Sequence, residues 1–159
     1  MFGHTNKMIH IGRGLEMQEQ EKLIFHPISL EDRDWMNEKL REEKLDACEY
    51  TFANNYMWAD VYDVRVGSAY GCGVIRCRGQ SFVQYSFPFG NGDQKAVIVH
   101  LMKICAVHGY ALILYPVTEN NRLKLMEWFP GEFEIYSDRA DADYVYTTER
   151  LSSLKGKKL

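Results

Sequence analysis

With 159 residues, 46% of them hydrophobic and 26% charged, the chain is long enough for one domain with a real core and too apolar to be disordered. A formal net charge of −3 argues against non-specific nucleic-acid binding by the domain as a whole. No run approaches the roughly 18 apolar residues of a membrane span, and Met1 to Gln20 lacks the apolar core of a signal peptide, so the expected location is the cytoplasm.

Residues 1–22 are polar, carry Gly3, Gly12 and Gly14, and read as a loose arm ahead of a domain over residues 23–154. Ser29-Leu30-Glu31-Asp32 reads as a helix start, with a capping hydroxyl and acidic residues in the first turn. Pro27 keeps the residue before it extended. Trp35, Met36 and Leu40 then give one apolar face as far as about Glu43. A second helical piece is expected over 51–60, with Phe52, Tyr56 and Ala59 on one side.

Three strands are expected next, over 62–66, 70–78 and 80–87. The last alternates, with Phe82, Gln84 and Ser86 on one face and Val83, Tyr85 and Phe87 on the other. The short spacings predict an antiparallel meander. The period then changes. Val97, Ile98, Leu101, Met102 and Cys105 predict a helix over 94–107, stopped by Gly109. Residues 111–115 form a continuous apolar run, expected as a strand buried on both faces. A helix over 118–128 opens at Thr118 and closes at Pro130-Gly131. Two last strands are expected over 133–136 and 144–147, around an acidic loop.

One stretch suggests a ligand site by geometry. Phe87-Pro88-Phe89-Gly90-Asn91-Gly92-Asp93 is a glycine-containing passage from a strand into a helix. Backbone N–H groups at such a passage can hold a phosphate. Gly90, Asn91, Gly92 and Asp93 are therefore the candidate cofactor-binding residues. The same residues also fit a plain tight turn with Asp93 as the helix cap, a carboxylate that competes for those donors. A second candidate is Glu49 to Trp58, with Glu49 as a general base and Tyr50 and Tyr56 beside it. Its aromatics can stack on a ring or pin the helix to the sheet.

Other groups read as structural. Cys48, Cys72, Cys77 and Cys105 match no usual zinc spacing and are expected as buried free thiols, so no metal site is expected. Asp138, Asp141 and Asp143 read as a solvated loop. His10, His26, His100 and His108 read as surface or structural groups, for want of an orienting carboxylate at a recognisable spacing.

The element order is helix, helix, three strands, helix, strand, helix, strand, strand. It describes a mixed α/β sheet with helices on both faces, an antiparallel meander followed by β-α-β-α-β-β. This order resembles the GNAT-like acyltransferase fold. In that fold the turn between the last meander strand and the central helix holds the pyrophosphate of an acyl-coenzyme A, and Gly90-Asn91-Gly92 sits at the matching point.

Further pieces are Phe25-His26-Pro27-Ile28, Glu49-Tyr50-Thr51-Phe52, Asn55-Tyr56, Trp58, Phe87-Pro88, Gly90-Asn91-Gly92-Asp93, Phe129-Pro130-Gly131, Asp138-Arg139, Asp143-Tyr144-Val145-Tyr146 and the terminal Leu151 to Leu159. In this order and spacing the chain resembles a bacterial family related to the catalytic domain of phosphatidylglycerol lysyltransferases. Members resemble two GNAT-like halves in tandem, and Gly156-Lys157-Lys158-Leu159 resembles the junction into the second half. The resemblance implies the first half of a two-domain acyl- or aminoacyl-transferase, acting on an amine or hydroxyl acceptor. This half would bind the acceptor or serve as scaffold. The implied donor is an acyl-coenzyme A or an aminoacyl-tRNA, with no other cofactor required. The implied partner is a second GNAT-like domain, in a longer chain or a homo-oligomer. Lys155, Lys157 and Lys158 form a basic tail able to approach tRNA or lipid phosphate. The rival class is a non-catalytic binding domain of the same fold.

Overall fold

The computed structural model describes residues 22–43, 47–79, 82–137 and 146–153. All but Lys22 of the arm expected over 1–22, the acidic loop at Asp138, Asp141 and Asp143, and the tail at Lys155, Lys157 and Lys158 lie outside them. Strand β1 (His26–Pro27) leads through a 3-10 turn (Leu30–Asp32) into helix α1 (Arg33–Glu43). Met36 and Leu40 point inward from α1. Another 3-10 turn (Cys48–Tyr50) precedes α2 (Phe52–Met57), whose Thr51 hydroxyl accepts from the Asn54 amide at 3.3 Å. This helix is shorter than its apolar pattern suggests, because Trp58 to Asp63 turn back on themselves.

Strands β2 (Arg65–Ala69), β3 (Cys72–Arg78) and β4 (Val83–Tyr85) follow. Among the described residues they complete one antiparallel sheet in the order β1-β2-β3-β4. The expected strand over 62–66 starts later and runs past Gly67, since Asp63 takes a positive φ of 41° and ends the preceding turn. Ala69 faces Cys72, so Tyr70-Gly71 is a two-residue hairpin loop with φ of 53° and 76°. Two successive positive φ values match the right-handed twist of the flanking strands.

The β4 region departs most from the alternation expected over 80–87. Tyr85 faces Arg76, whereas Phe89 bridges to Gly73. Ser86, Phe87 and Pro88 therefore oppose only Val74 and Ile75, which is a bulge with one extra residue. The Ser86 hydroxyl accepts from the Ile75 amide at 2.9 Å, and the Ser86 amide donates to the Ile75 carbonyl at 2.8 Å. Pro88 has no N–H to lose there. One extra residue exchanges the faces of the sheet. Tyr85 packs with Ala69, Cys72, Val74, Val97, Leu101 and Cys105. Phe87 and Phe89 cross to the other side, with Met36, Leu40, Tyr50, Phe52, Val66 and Ile75.

Helix α3 (Gln94–Val107) covers the Tyr85 face, and α4 (Glu119–Trp128) sends Leu125 into the Phe87 face. Between them, residues 111–115 run parallel to β4 through one bridge, Tyr85 to Leu114, with the Tyr115 amide on the Tyr85 carbonyl at 2.8 Å. This run is not buried on both faces as its composition suggests. Ile113 is exposed, and no described strand pairs with its outer side. The strand expected over 133–136 likewise pairs with no strand among the described residues, with Ile135 and Tyr136 exposed. Of the strand expected over 144–147 only 146–147 are described, and they lead into a short helix α5 (Thr148–Ser153).

Candidate functional site

The two parallel segments lead to helices on opposite faces. Such a switch of direction leaves a crevice at the carboxyl ends of the strands, where open α/β sheets bind ligands. Tyr50 reaches into the gap, and its hydroxyl donates to the Pro116 carbonyl at 2.7 Å, next to the cis Tyr115-Pro116 bond. Burial pushes the Tyr50 phenol well above its ordinary range. A backbone hydrogen bond from Phe87 works against this, and the nearby carboxylates of Glu43 and Glu49 reinforce it. Tyr50 is thus a neutral donor that ties the two strand ends together. Tyr50→Phe should cost about 1–3 kcal/mol, because a half-buried carbonyl loses its partner. Urea denaturation checks this, and an unchanged midpoint would contradict the assigned contact.

The turn over Gly90 to Asp93 packs onto the Tyr70-Gly71 hairpin. The Asp93 amide donates to the Tyr70 carbonyl at 2.9 Å, and the Asp93 carboxylate accepts from the Ala96 amide at 2.9 Å. The Asn91 amide donates to the Glu42 carboxylate at 3.1 Å. Lys39 donates to the Gly71 carbonyl at 2.6 Å. Two carboxylates of the chain therefore stand where a bound anion would take the amides of Asn91 and Ala96.

A polar cluster fills the space between this turn and Tyr50. Gln94, 7% exposed, extends its side chain from the start of α3. Its amide nitrogen donates to the Glu43 carboxylate at the end of α1, and its oxygen accepts from Lys124 of α4 at 2.9 Å. The Lys124 ammonium also sits 5.7 Å from the centre of the Phe87 ring, on which Trp128 stacks at 6.4 Å. Three helices thus meet at one neutral amide. Glu43, Gln94 and Lys124 are not legible as a site in the sequence. They lie 51 and 30 residues apart, and no local pattern joins them.

The other sequence candidates fall around this cluster. The Glu49 carboxylate is close enough to affect Tyr50, while its backbone carbonyl accepts from Asn55 at 2.6 Å. Tyr56 stacks on Phe52 at 5.5 Å and is partly exposed. Burial pushes the Cys72 and Cys77 thiols up to about 11, so both stay protonated at neutral pH. Cys48 is exposed, unlike the buried thiol expected of it. Among the described residues no group of His, Cys, Asp and Glu could hold a metal. A half-open hollow of about 400 Å³ beside Leu125, Phe129, Phe133 and Ile135 is apolar. Its one charged side chain, Arg122, is already held by Glu119 at 2.6 Å.

His26 differs most from its expected isolation. Its Nε2 lies 2.9 Å from the Asp32 carboxylate, which is 4% exposed and also accepts from the Trp35 indole at 2.9 Å and the Ser29 amide at 2.8 Å. The orienting carboxylate was six residues away, across the helix start, with its role as a first-turn acid concealing the contact.

The comparisons bear on the whole of this arrangement. A family model described as phosphatidylglycerol lysyltransferase, C-terminal, matches residues 41–159. No curated protein matches the chain. A conserved protein of unknown function from Bacteroides thetaiotaomicron VPI-5482, solved by crystallography, is similar at 30% identity and a TM-score of 0.80. The match covers 86% of this chain and 46% of that one, so the chain spans about half the length of that neighbour. The family match takes in Glu43, Tyr50, the bulge, the turn, Gln94 and Lys124, and with three quarters of its residues inside that match the chain belongs to the phosphatidylglycerol lysyltransferase C-terminal family.

Proposed function

We propose that this chain is the first half of a two-domain, transferase-like protein of GNAT-like fold. It would move an acyl or aminoacyl group to an amine or hydroxyl acceptor, with this half holding the acceptor. The observation that carries the reading is the convergence of Glu43, Tyr50, Gln94 and Lys124 at the carboxyl ends of β4 and residues 111–115. A carboxylate beside a neutral phenol can orient an amine and take its proton, and held geometry of that kind is what group transfer needs from a protein. The donor belongs elsewhere on this reading. The Asn91 and Ala96 amides are committed to Glu42 and Asp93, and Tyr50 stands between the strand ends. A second domain of like fold, in the same chain or another copy, would supply it. On this reading the basic residues Lys155, Lys157 and Lys158 would contribute the charge that meets tRNA or lipid phosphate. No helix among the described residues is long and apolar enough to cross a membrane.

Thermal denaturation of the chain with coenzyme A, acetyl-coenzyme A or puromycin, a mimic of an aminoacylated tRNA end, tests the division of labour. A ligand at ten times its Kd stabilises by about 1.4 kcal/mol, or roughly 2–4 °C in Tm for a chain of this size. No shift is expected with any of the three. A shift with any one would place a donor site in this half and overturn the reading.

A further inference from the structure

We propose that Glu43 and Lys124 form the two poles of a slot for a dipolar ligand, a small group carrying a cation and an anion side by side. This rests on the crevice being a ligand site. Lysine only donates and a carboxylate only accepts, so the Gln94 amide has one orientation, oxygen to Lys124 and nitrogen to Glu43. Among the described residues neither Lys124 nor Glu43 makes an ion pair. Two half-buried opposite charges are thus satisfied by a neutral amide placed between them, not by each other.

That arrangement selects its ligand. A charge-assisted contact to an opposite charge is stronger than one to an amide. An ammonium at Glu43 together with a phosphate or carboxylate at Lys124 replaces both amide contacts with stronger ones. An anion alone satisfies Lys124 but faces the Glu43 carboxylate. A cation alone satisfies Glu43 but faces the Lys124 ammonium. The resting Gln94 side chain, itself a dipole, marks the position and direction the ligand would take. Phe87, with Trp128 stacked on it, gives the slot an apolar wall.

Amide NMR of the nitrogen-15-labelled chain, titrated with four probes, tests the slot. O-phosphoethanolamine and glycine carry both charges, inorganic phosphate only the anion, ethanolamine only the cation. At least one dipolar probe should bind about tenfold or more tightly than either single-charge probe. Shifts should centre on the Gln94 side chain, Phe87 and Val117. Whichever dipolar probe binds more tightly identifies the anion as phosphate or carboxylate. Glu43→Gln and Lys124→Gln should each bring the dipolar probe down to the affinity of the single-charge ones, with thermal unfolding confirming that both variants fold. Phosphate binding as tightly as the dipolar probes, or an unchanged affinity in either variant, would overturn the slot while leaving the crevice as a ligand site. If no probe moves the crevice signals, the crevice reading falls as well.

Discussion

Gly92→Ala is expected to destabilise the chain by about 3 kcal/mol or more, the upper end of what overpacking costs. A Cβ on Gly92 would lie 2.0 Å from the Tyr70 carbonyl oxygen and 2.6 and 2.7 Å from the carbonyl carbon and Cα of Gly71. All three are backbone atoms of a hairpin loop, so no side chain can swing aside. The clash would also strain the 2.9 Å bond from the Asp93 amide to Tyr70, which fixes the start of α3. Gly109 provides the comparison. It has a φ of 75° and nothing within 4 Å of an added Cβ, so Gly109→Ala should cost only the left-handed backbone penalty of about 1–2 kcal/mol. Urea denaturation of the two variants separates steric from conformational cost. Equal losses would show that the turn does not press on the hairpin as described. The glycine at this point of the turn is thus explained by backbone apposition, with no ligand needed to account for it.

What the sequence revealed depended on whether the controlling interactions were local. Helix α3 begins after the Asp93 cap and ends just before Gly109, as its period predicts, because capping and hydrophobic spacing act within a few residues. The bulge was hidden because Val83, Tyr85 and Phe87 alternate cleanly. The extra residue shows only once Gly73 is seen to pair with Phe89. Residues 111–115 look doubly buried by composition, yet burial is set by neighbours, and one side of that run has no described strand. Tyr50 was legible as a candidate, but its commitment to Pro116, 66 residues away, was not. The same holds for Glu43, Gln94 and Lys124, which are ordinary helical residues until three helices bring them together.

Asp32→Ala should lower stability by about 3 kcal/mol, since it strands several buried or half-buried donors at once. Oδ1 accepts from His26 and Trp35, and Oδ2 accepts from the Ser29 amide and hydroxyl at 2.8 and 3.1 Å. Asp32→Asn keeps the shape but can serve only one of these pairs, so it should recover part of the loss. The effect carries a pH signature. Burial alone would raise the Asp32 pKa, but the hydrogen bonds from Trp35, His26 and Ser29 outweigh it and hold the carboxyl below its ordinary value of 3.8. A carboxyl lowered in the folded state contributes stability that is fully present above its unfolded pKa. That contribution is lost as pH falls through the folded one. Wild-type urea midpoints should therefore hold down to about pH 4 and decline below it, with a shallower decline in Asp32→Asn. Parallel declines would remove Asp32 from the account. The consequence reaches the crevice through Trp35, which stacks on Phe89 at 6.4 Å and so links the Asp32 network to the residue that begins the turn. A chain lacking this carboxylate should loosen first around Phe89 and Gly90, with the earliest gain in amide exchange at Gly73 and Phe89, whose two mutual hydrogen bonds close the bulge.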